Sequence, residues 1–461
     1  MRDKRVLMRL FALLFAFVLV AAACGDDDDG GDEASDTTEQ DSGETTEGDG
    51  GDTTAPPEGE GTLEGWKGTT PLPETTPEVE AFQERMLTAD PDLQDFNYGP
   101  ESYDAAIVIA LAAQIAQDDG SAHAAEIVGV TTEGEKCTTY ADCMTIVGAG
   151  GDVDFDGISG PLEFSGNGEP TIGSYGVLQF GADNRIDEES TTFKTIEAPP
   201  EVADIPLSET EVDRPGDGVL TFGTLLPETG SLAFLGPPEV AGVNVAIEEI
   251  NAAGGYNGQD VALSLSDSGD TTTDIASQSV DRLLSENVDA IIGAASSGVT
   301  LTVIDAVVNA GVTMFSPANT SKELSDYADK GLYFRNAPSD ILQGAVLAEV
   351  IAEDSNSTIA IINLDDSYGN GLAEDLKASF EEGGGEVLAT VPYSPDAQTF
   401  ESEVNEIVAT DPDAIVIAGF EESARIVSEL IKQGYGPNTI PIYGTDGNMG
   451  NATGEEFEAG G

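Results

Sequence analysis

The sequence predicts an α/β fold with two lobes, each a doubly wound and mostly parallel sheet flanked by helices, and a ligand cleft between the lobes. From Gly218 onward, strand-like runs alternate with amphipathic helices, a pattern that indicates right-handed βαβ units. Several of these runs are continuous in Val and Ile, which is typical of strands buried on both faces of a parallel sheet. Nine such runs in one half of the chain favour two sheets, and therefore two lobes.

The first residues predict export and a lipid anchor. Residues 1–23 combine a basic start with an apolar run that is shorter than the roughly 20 residues a membrane-spanning helix needs. Three alanines precede Cys24, as in a bacterial lipobox. We therefore expect Cys24 to be lipidated and the exported protein to be anchored to the outer face of the cell membrane. The alternative is an ordinary cleavable signal in which Cys24 occurs by chance.

Residues 24–61 predict a disordered acidic tether. Between residues 25 and 61 there are fifteen Asp and Glu and no Lys or Arg. Such a segment cannot bury enough apolar surface to offset the entropy of ordering, and its like charges keep it extended. It would link the lipid anchor to a folded body.

The next stretch contains fewer regular elements than the second half. A strand-like run occupies 63–70, a helix is predicted at 77–89, and a longer helix runs from Tyr103 to about Gln117. Short β-like segments follow at 161–165 and 175–180, separated by turn residues.

The strands after Gly218 are predicted from short apolar runs bounded by turn residues. One intervening helix carries an apolar stripe from Val240 to Ile250, and another takes Ser339 as its N-cap. The predicted strands are 219–226, 261–267, 289–294, 312–317, 332–336, 358–365, 386–393, 414–420 and 439–444.

The charge balance excludes one class of partner. Lys and Arg number 17 against 87 Asp and Glu, which gives a formal net charge of −70. A surface this anionic repels phosphate backbones, so we expect no nucleic-acid partner. The single histidine, His123, removes most zinc-site and histidine-triad chemistry, and no nucleophile–base pair is visible. We expect no cofactor, no resident metal and no enzymatic activity.

Two further motifs concern disulfide and metal chemistry. Cys137 and Cys143 form an even pair in an exported chain, which predicts a small-loop disulfide. Residues 152–163 match the EF-hand calcium-loop pattern, but no helix is predicted on either side. A turn-rich connection is therefore favoured over a calcium site.

Polar residues follow the carboxyl ends of several predicted strands, where doubly wound sheets bind their ligands. Ser296 and Ser297 follow one strand and precede a helix, and hydroxyls at a helix N-terminus can hold a carboxylate. Ala318 and Thr320 follow the next strand and precede a second helix, and Asp446 follows the last strand and could neutralise an ammonium. For each serine alone, the alternative is a helix cap.

Nearly everything from residue 62 to residue 461 resembles the leucine/isoleucine/valine-type solute-binding proteins of ABC importers, which have a type I periplasmic-binding fold. The matching text includes "GTLLPETGSLAFLGPPEVAGVNVAIEEINAAGGYNGQ", "IIGAASSGVT", "FSPANTSKEL", "IINLDDSYGNGLAEDLK" and "YGTDGNMGN". The resemblance implies an α-amino-acid headgroup, with its carboxylate on Ser297 and Thr320 and its ammonium on the Ala318 carbonyl and Asp446.

The same resemblance implies an aromatic contribution to the site. Tyr368 and Phe420 match ligand-stacking aromatics, and Tyr98 matches an aromatic at the side-chain pocket; packing is the alternative for each. The sequence departs from the family at Leu235, where an aromatic is common, and at Asp446, where glutamate is usual. Both departures bear on side-chain specificity.

The order of the matching segments differs from the family. Residues 62–196 resemble its C-terminal third and residues 218–461 its first two-thirds, with a linker at 197–217. The two segments together would form one circularly permuted binding unit, with strand 439–444 near 62–70. The alternatives are two half-domains from a tandem array and an error in the gene sequence.

These observations predict a lipid-anchored solute-binding protein that captures a small polar ligand, with an amino acid favoured, and presents it to an ABC permease in the membrane. The alternative is an extracellular sensor domain that uses the same fold for signalling.

Overall fold

The computed structural model describes residues 61–457, which lie within one compact unit. The predicted signal peptide, the lipidation at Cys24 and the tether up to residue 60 lie outside the described residues. None of the described helices combines the length and the apolar character needed to cross a lipid bilayer.

Fourteen strands occur between residues 61 and 457. They are β1 (Lys67–Pro71), β2 (Glu135–Cys137), β3 (Val153–Phe155), β4 (Ile172–Gln179), β5 (Thr192–Glu197), β6 (Thr221–Leu225), β7 (Ala262–Ser264), β8 (Ala290–Gly293), β9 (Thr313–Ser316), β10 (Tyr333–Arg335), β11 (Thr358–Leu364), β12 (Glu386–Tyr393), β13 (Ala414–Ala418) and β14 (Ile442–Gly444).

Thirteen α-helices connect the strands within the same residues. They are α1 (Pro77–Ala89), α2 (Gly99–Ala116), α3 (Ile127–Val130), α4 (Tyr140–Gly148), α5 (Pro200–Ala203), α6 (Gly236–Ala252), α7 (Ile275–Ser285), α8 (Ser297–Asn309), α9 (Asp340–Glu353), α10 (Ser367–Glu382), α11 (Glu401–Val408), α12 (Ser423–Lys432) and α13 (Asn451–Glu455).

Two large sheets form the two lobes. One has the strand order β12-β11-β13-β14-β1-β4-β5, and the other has the order β10-β9-β8-β6-β7. All neighbouring strands are parallel except at β4, which pairs antiparallel with both β1 and β5. The fold-class prediction of two mostly parallel α/β lobes is confirmed, and all nine strands predicted after Gly218 are present.

The first segment of the chain contributes to both lobes. Strand β1 pairs in parallel with β14, with Lys67 opposite Tyr443, so the expected proximity of 62–70 and 439–444 is confirmed. Helix α2, from the same segment, is buried from Gly99 to Ala113 and packs in the core of the five-stranded lobe. The continuous apolar stretch of this helix is explained by that central position.

Several predicted elements differ from the structure. The β-like run 161–165 is not a strand: only isolated bridges join Asp156 to Pro161 and Phe164 to Pro170. Pro161 has no backbone N–H to donate to a β-ladder. The turn 166–168 reverses the chain directly after this run. The longer helix begins at Gly99 rather than Tyr103, because Pro100 fits the first turn of a helix.

Two connections also differ from expectation. The segment after β9 does not open a regular helix but a three-residue 3₁₀ turn, Lys322–Leu324. The expected linker 197–217 begins with the last residue of β5 and includes α5. It is hydrogen-bonded to other parts of the folded unit. Its contacts include Ser208 N–H to the Gly166 carbonyl and Glu211 N–H to the Lys330 carbonyl.

Candidate functional site

The eight residues predicted to bind ligand line one small cavity, where the carboxyl ends of strands from both sheets meet. Its empty volume, which includes space open to solvent, is about 260 Å³. The eight residues are Tyr98, Ser296, Ser297, Ala318, Thr320, Tyr368, Phe420 and Asp446.

One side of the cavity offers hydroxyl and backbone groups. Ser297 is the first residue of α8, and its Oγ accepts hydrogen bonds from the N–H groups of Thr320 and Ser321, both at 3.3 Å. The hydroxyl of Ser296 caps the same helix by accepting from Val299 N–H at 3.3 Å, so the helix-cap alternative holds for that hydroxyl. The N-terminus of a thirteen-residue helix adds partial positive charge, which favours an anionic group on this side.

The opposite side is dominated by the carboxylate of Asp446, which is 5 % exposed. Its Oδ2 accepts a hydrogen bond from the Tyr98 hydroxyl at 2.7 Å, and its Oδ1 accepts one from the Tyr368 hydroxyl at 2.8 Å. The Tyr368 hydroxyl also lies 2.8 Å from Thr445 Oγ1. Asp446 is therefore held in place by two aromatic residues from separate parts of the chain.

Buried carboxyl groups make the Asp446 side of the cavity unfavourable for anions. Burial raises the pKa of Asp446, and the hydrogen bonds from Tyr98 and Tyr368 oppose that effect. Asp340, in the first turn of α9, is fully buried, and burial followed by the charge of Asp446 raises its pKa well above the ordinary value. Two buried carboxyl groups near one cavity favour a ligand that brings a positive charge to Asp446.

Aromatic rings form the wall next to Asp446. The rings of Tyr368 and Phe420 stack with centroids 5.2 Å apart. Tyr98 has a φ of 58°, in the left-handed region that bulky residues rarely adopt, at the N-terminus of α2.

Four further residues line the cavity: Leu232, Leu235, Ala295 and Gly447. Leu235 was noted only as a departure from the family, and the other three were missed. Ala295 and Gly447 could have been found, because they adjoin Ser296 and Asp446; Leu232 carried no signal. A Cβ on Gly447 would lie 2.6 Å from the Gly419 carbonyl oxygen, so the close approach of these two loops requires glycine.

The acids of the loop that matches a calcium motif form ion pairs with a lysine of β2. The ammonium of Lys136 lies 2.9 Å from Asp154, 3.0 Å from Asp156 and 3.1 Å from Glu163. These three acids are the one group between residues 61 and 457 whose spacing could hold a metal ion. The single positive charge of Lys136 offsets part of the charge of these three acids.

The predicted disulfide is confirmed, since Cys137 and Cys143 are bonded. His123 is fully buried in a 3₁₀ turn before α3, and burial lowers its pKa to about 4. It does not line the ligand cavity. Neither feature contributes directly to the site.

Two lobes with polar groups at the strand ends between them are the architecture of a solute-binding protein. The chain belongs to the periplasmic binding protein family: the model of that family matches residues 219–457, slightly more than half of the chain. The architecture is that of the type I fold.

Curated relatives match over the same part of the chain. The chain is 30 % identical over 226 residues to the chemotactic signal transduction system substrate-binding protein BasB of Halobacterium salinarum. It is 27 % identical over 209 residues to the leucine-, isoleucine-, valine-, threonine-, and alanine-binding protein of Pseudomonas aeruginosa. These matches cover 47 % and 45 % of this chain and 54 % and 55 % of the relatives, so the chain spans about half the length of each.

Among solved structures, the chain is similar to the branched-chain amino acid transporter substrate-binding protein LivJ of Streptococcus pneumoniae, crystallised with isoleucine. The identity is 27 %, the TM-score is 0.46, and the match covers 52 % of this chain and 67 % of that one.

Proposed function

We propose that the cavity binds a free α-amino acid and that the protein delivers it to an ABC permease. The observation that carries the proposal is the placement of two opposite chemistries across one small cavity. Ser297 and the start of α8 face one side, and the buried carboxylate of Asp446 faces the other. An α-amino acid carries both a carboxylate and an ammonium, so a cavity lined by both kinds of partner can neutralise each end locally.

The net charge of −70 agrees with a zwitterionic ligand. Long-range repulsion disfavours an anionic solute, whereas a zwitterion has no net charge to repel. The relatives named as amino-acid-binding proteins support the same class of ligand.

Calorimetric titration with a panel of amino acids, amides, urea and sugars tests the ligand class. We expect one or more amino acids to bind with a stoichiometry of one, and the corresponding amino-acid amides, which lack the carboxylate, to bind far more weakly. Binding of a sugar or urea without binding of any amino acid would refute the proposal.

A signalling role is the second candidate, because one relative is named as a chemotactic substrate-binding protein. The same ligand-induced closure can be recognised by a permease or by a transducer. Uptake of the radiolabelled ligand by cells with and without the gene separates these functions. Loss of uptake supports transport, and loss of chemotaxis with normal uptake supports sensing.

We also propose that Cys24 carries the lipid anchor that holds the exported protein at the outer face of the membrane. The support is the short apolar run followed by small residues before Cys24. Cys24→Ser should move the protein from the membrane fraction to the soluble fraction. An unchanged distribution would refute the anchor.

We propose that residues 62–196 and 218–461 form one permuted binding unit. The support is that β1 lies between β14 and β4, and that Tyr98 from the first segment contacts Asp446 from the second. Residues 218–461 expressed alone lose three strands of the seven-stranded sheet and helix α2, so we expect that fragment not to fold. A cooperative unfolding transition of the isolated fragment would refute the proposal.

A further inference from the structure

The carboxylate side of the ligand cavity depends on the direction of two backbone N–H groups. The N–H groups of Thr320 and Ser321 both donate to Ser297 Oγ at 3.3 Å, and Thr320 and Ser297 line the cavity. In a planar trans peptide unit the C=O and N–H bonds point in opposite directions. The groups that hold the carbonyl oxygens of Asn319 and Thr320 therefore also aim these two N–H groups.

Both carbonyl oxygens have donors behind the loop, on the side away from Ser297. The Asn319 carbonyl accepts a hydrogen bond from Arg335 Nη1 at 3.3 Å. The Thr320 carbonyl accepts one from the Asp340 N–H at 2.8 Å. Arg335 Nη1 also donates to the Ser321 carbonyl at 2.8 Å, so one guanidinium nitrogen holds the carbonyl groups on both sides of Thr320.

The guanidinium of Arg335 is itself fixed by a buried acid. Arg335 is 1 % exposed and Glu169 is 2 % exposed. Nε donates to Glu169 Oε2 at 2.8 Å, and Nη2 donates to the same oxygen and, at 2.8 Å, to Ser325 Oγ. A guanidinium has five N–H donors, and with the two carbonyl groups all five are used.

Glu169 is held from its other side as well. Its carboxylate accepts from the Asn167 side-chain amide at 3.1 Å and from the Ser325 hydroxyl at 3.0 Å. Burial acts to raise the pKa of Glu169, but the charge of Arg335 and these hydrogen bonds lower it, so the acid stays ionised. A buried ion pair with every donor used leaves the guanidinium one position.

The side chain of Asn319 fastens the same loop to the neighbouring strand end. Its Nδ2 donates to the carbonyl oxygens of Ala294 and Ala295 at 2.9 and 2.8 Å, and its Oδ1 accepts from the Tyr333 hydroxyl at 2.9 Å. Ala295 lines the ligand cavity. The loop and the strand end beside it therefore move as one body.

The ion pair joins the two segments of the chain. Glu169 belongs to the first segment, 62–196, whereas Arg335 and the loop belong to the second segment, 218–461. The Arg335 N–H also donates to the Gly168 carbonyl at 3.0 Å, which docks the first segment against β10. The first segment thus supports the carboxylate side of the cavity, just as Tyr98 supports Asp446 on the opposite side.

We propose that Arg335, held by Glu169, is a positioning residue for the ligand carboxylate. By fixing the carbonyl groups on both sides of Thr320, it directs the Thr320 N–H toward Ser297 and the cavity. Arg335 does not line the cavity and acts through the loop. This inference rests on the amino-acid-binding function proposed above and deepens it.

Arg335→Lys tests the inference. Lysine keeps a positive charge beside Glu169, but its three donors lie on one nitrogen atom and cannot reach the acid and both carbonyl groups together. We expect the Kd of the best amino-acid ligand to rise about 10-fold and the Kd of its amide, which lacks the carboxylate, to change less than about threefold. Calorimetry measures the first constant and ligand-observed NMR the second. The ratio is informative because a general loosening of the lobe weakens both ligands alike.

Two further variants complete the design. Arg214→Lys is the matched control, because Arg214 pairs with Asp289 at 3.0 Å and donates to the Asn287 carbonyl, but at the amino end of β8. It should leave both constants unchanged. Arg335→Met combined with Glu169→Gln leaves no buried charge unpaired, and it should change the ratio in the same direction as Arg335→Lys. Urea unfolding checks that each variant is folded.

Hydrogen exchange gives a second readout that needs no weak ligand. The N–H groups of Thr320 and Ser321 should exchange faster in unliganded Arg335→Lys than in the native protein, and at the native rate in Arg214→Lys. An amino-acid-to-amide ratio within about twofold of the native ratio in folded Arg335→Lys, or unchanged exchange of these two groups, would overturn the inference. Either result leaves amino-acid binding intact. Failure of every amino acid to bind the native protein would instead refute the proposed function.

Discussion

Asp446→Asn is the substitution that most sharply separates a ligand-binding carboxylate from a structural one. Asp446 is 5 % exposed and accepts hydrogen bonds from the hydroxyls of Tyr98 and Tyr368. Asparagine keeps the shape and one carbonyl oxygen for these donors but removes the negative charge. A ligand ammonium would then be buried without a counterion.

The expected loss follows from that unpaired charge. Leaving one member of a buried, hydrogen-bonded ion pair without its partner costs about 2–5 kcal/mol. At about 1.4 kcal/mol for each factor of ten, this cost corresponds to a rise in Kd of about 30- to 4000-fold. The protein itself should remain folded, because the substitution removes a buried charge and introduces no new one.

Calorimetric titration of Asp446→Asn with the best amino-acid ligand measures this loss, and urea unfolding checks that the variant is folded. Asp411→Asn makes the same chemical change on an exposed turn at the opposite end of β13 and should bind like the native protein. A Kd within threefold of the native value in folded Asp446→Asn would show that the ammonium is not held there.

Three further outcomes are expected. Ligand affinity should fall as the pH is lowered, because burial raises the pKa of Asp446 and a protonated carboxyl group cannot pair with an ammonium. A Kd that stays the same in titrations at a series of acidic pH values would contradict this. Ser297→Ala should weaken binding by about 1–2 kcal/mol, which is less than the effect of Asp446→Asn. The reason is that the backbone N–H groups of Thr320 and Ser321 remain available to a carboxylate. An effect as large as that of Asp446→Asn in the same titration would contradict this order. Burial raises the pKa of Glu101 to about 8 from the ordinary 4.5, so the folded protein retains a proton that the unfolded chain releases. The free energy of unfolding in urea should therefore decrease as the pH rises through that interval, and Glu101→Gln should flatten the dependence; an equally steep dependence in the variant would contradict the assignment.

Much of the fold could be predicted because burial leaves a clear pattern in the sequence. Several of the nine strands after Gly218 are continuous apolar runs. Helix α1 follows a Thr76 cap and begins with Pro77, so its bounds were predicted as observed. Strands β2 and β3 were missed because three residues, some of them charged, carry too little periodicity. The run 161–165 was wrongly taken as β-like because alternation alone does not reveal whether a partner strand is present.

The candidate site was predictable where it follows from topology. Ser297 and Asp446 follow buried parallel strands, whose carboxyl ends meet at the cleft. Leu232 was not predicted, because it lies in a loop whose position depends on how the two lobes pack. Asp340 was not predicted either: it is one of many acids in the sequence, and nothing local shows that its carboxyl group is buried.

A crystal structure of the protein with its best-binding amino acid tests the central claim most directly. The account predicts the α-carboxylate within hydrogen-bond distance of Ser297 Oγ and the Thr320 N–H, and the ammonium within the same distance of Asp446. A ligand bound outside this cavity, or one with its ammonium turned to Ser297 and its carboxylate to Asp446, would contradict the account.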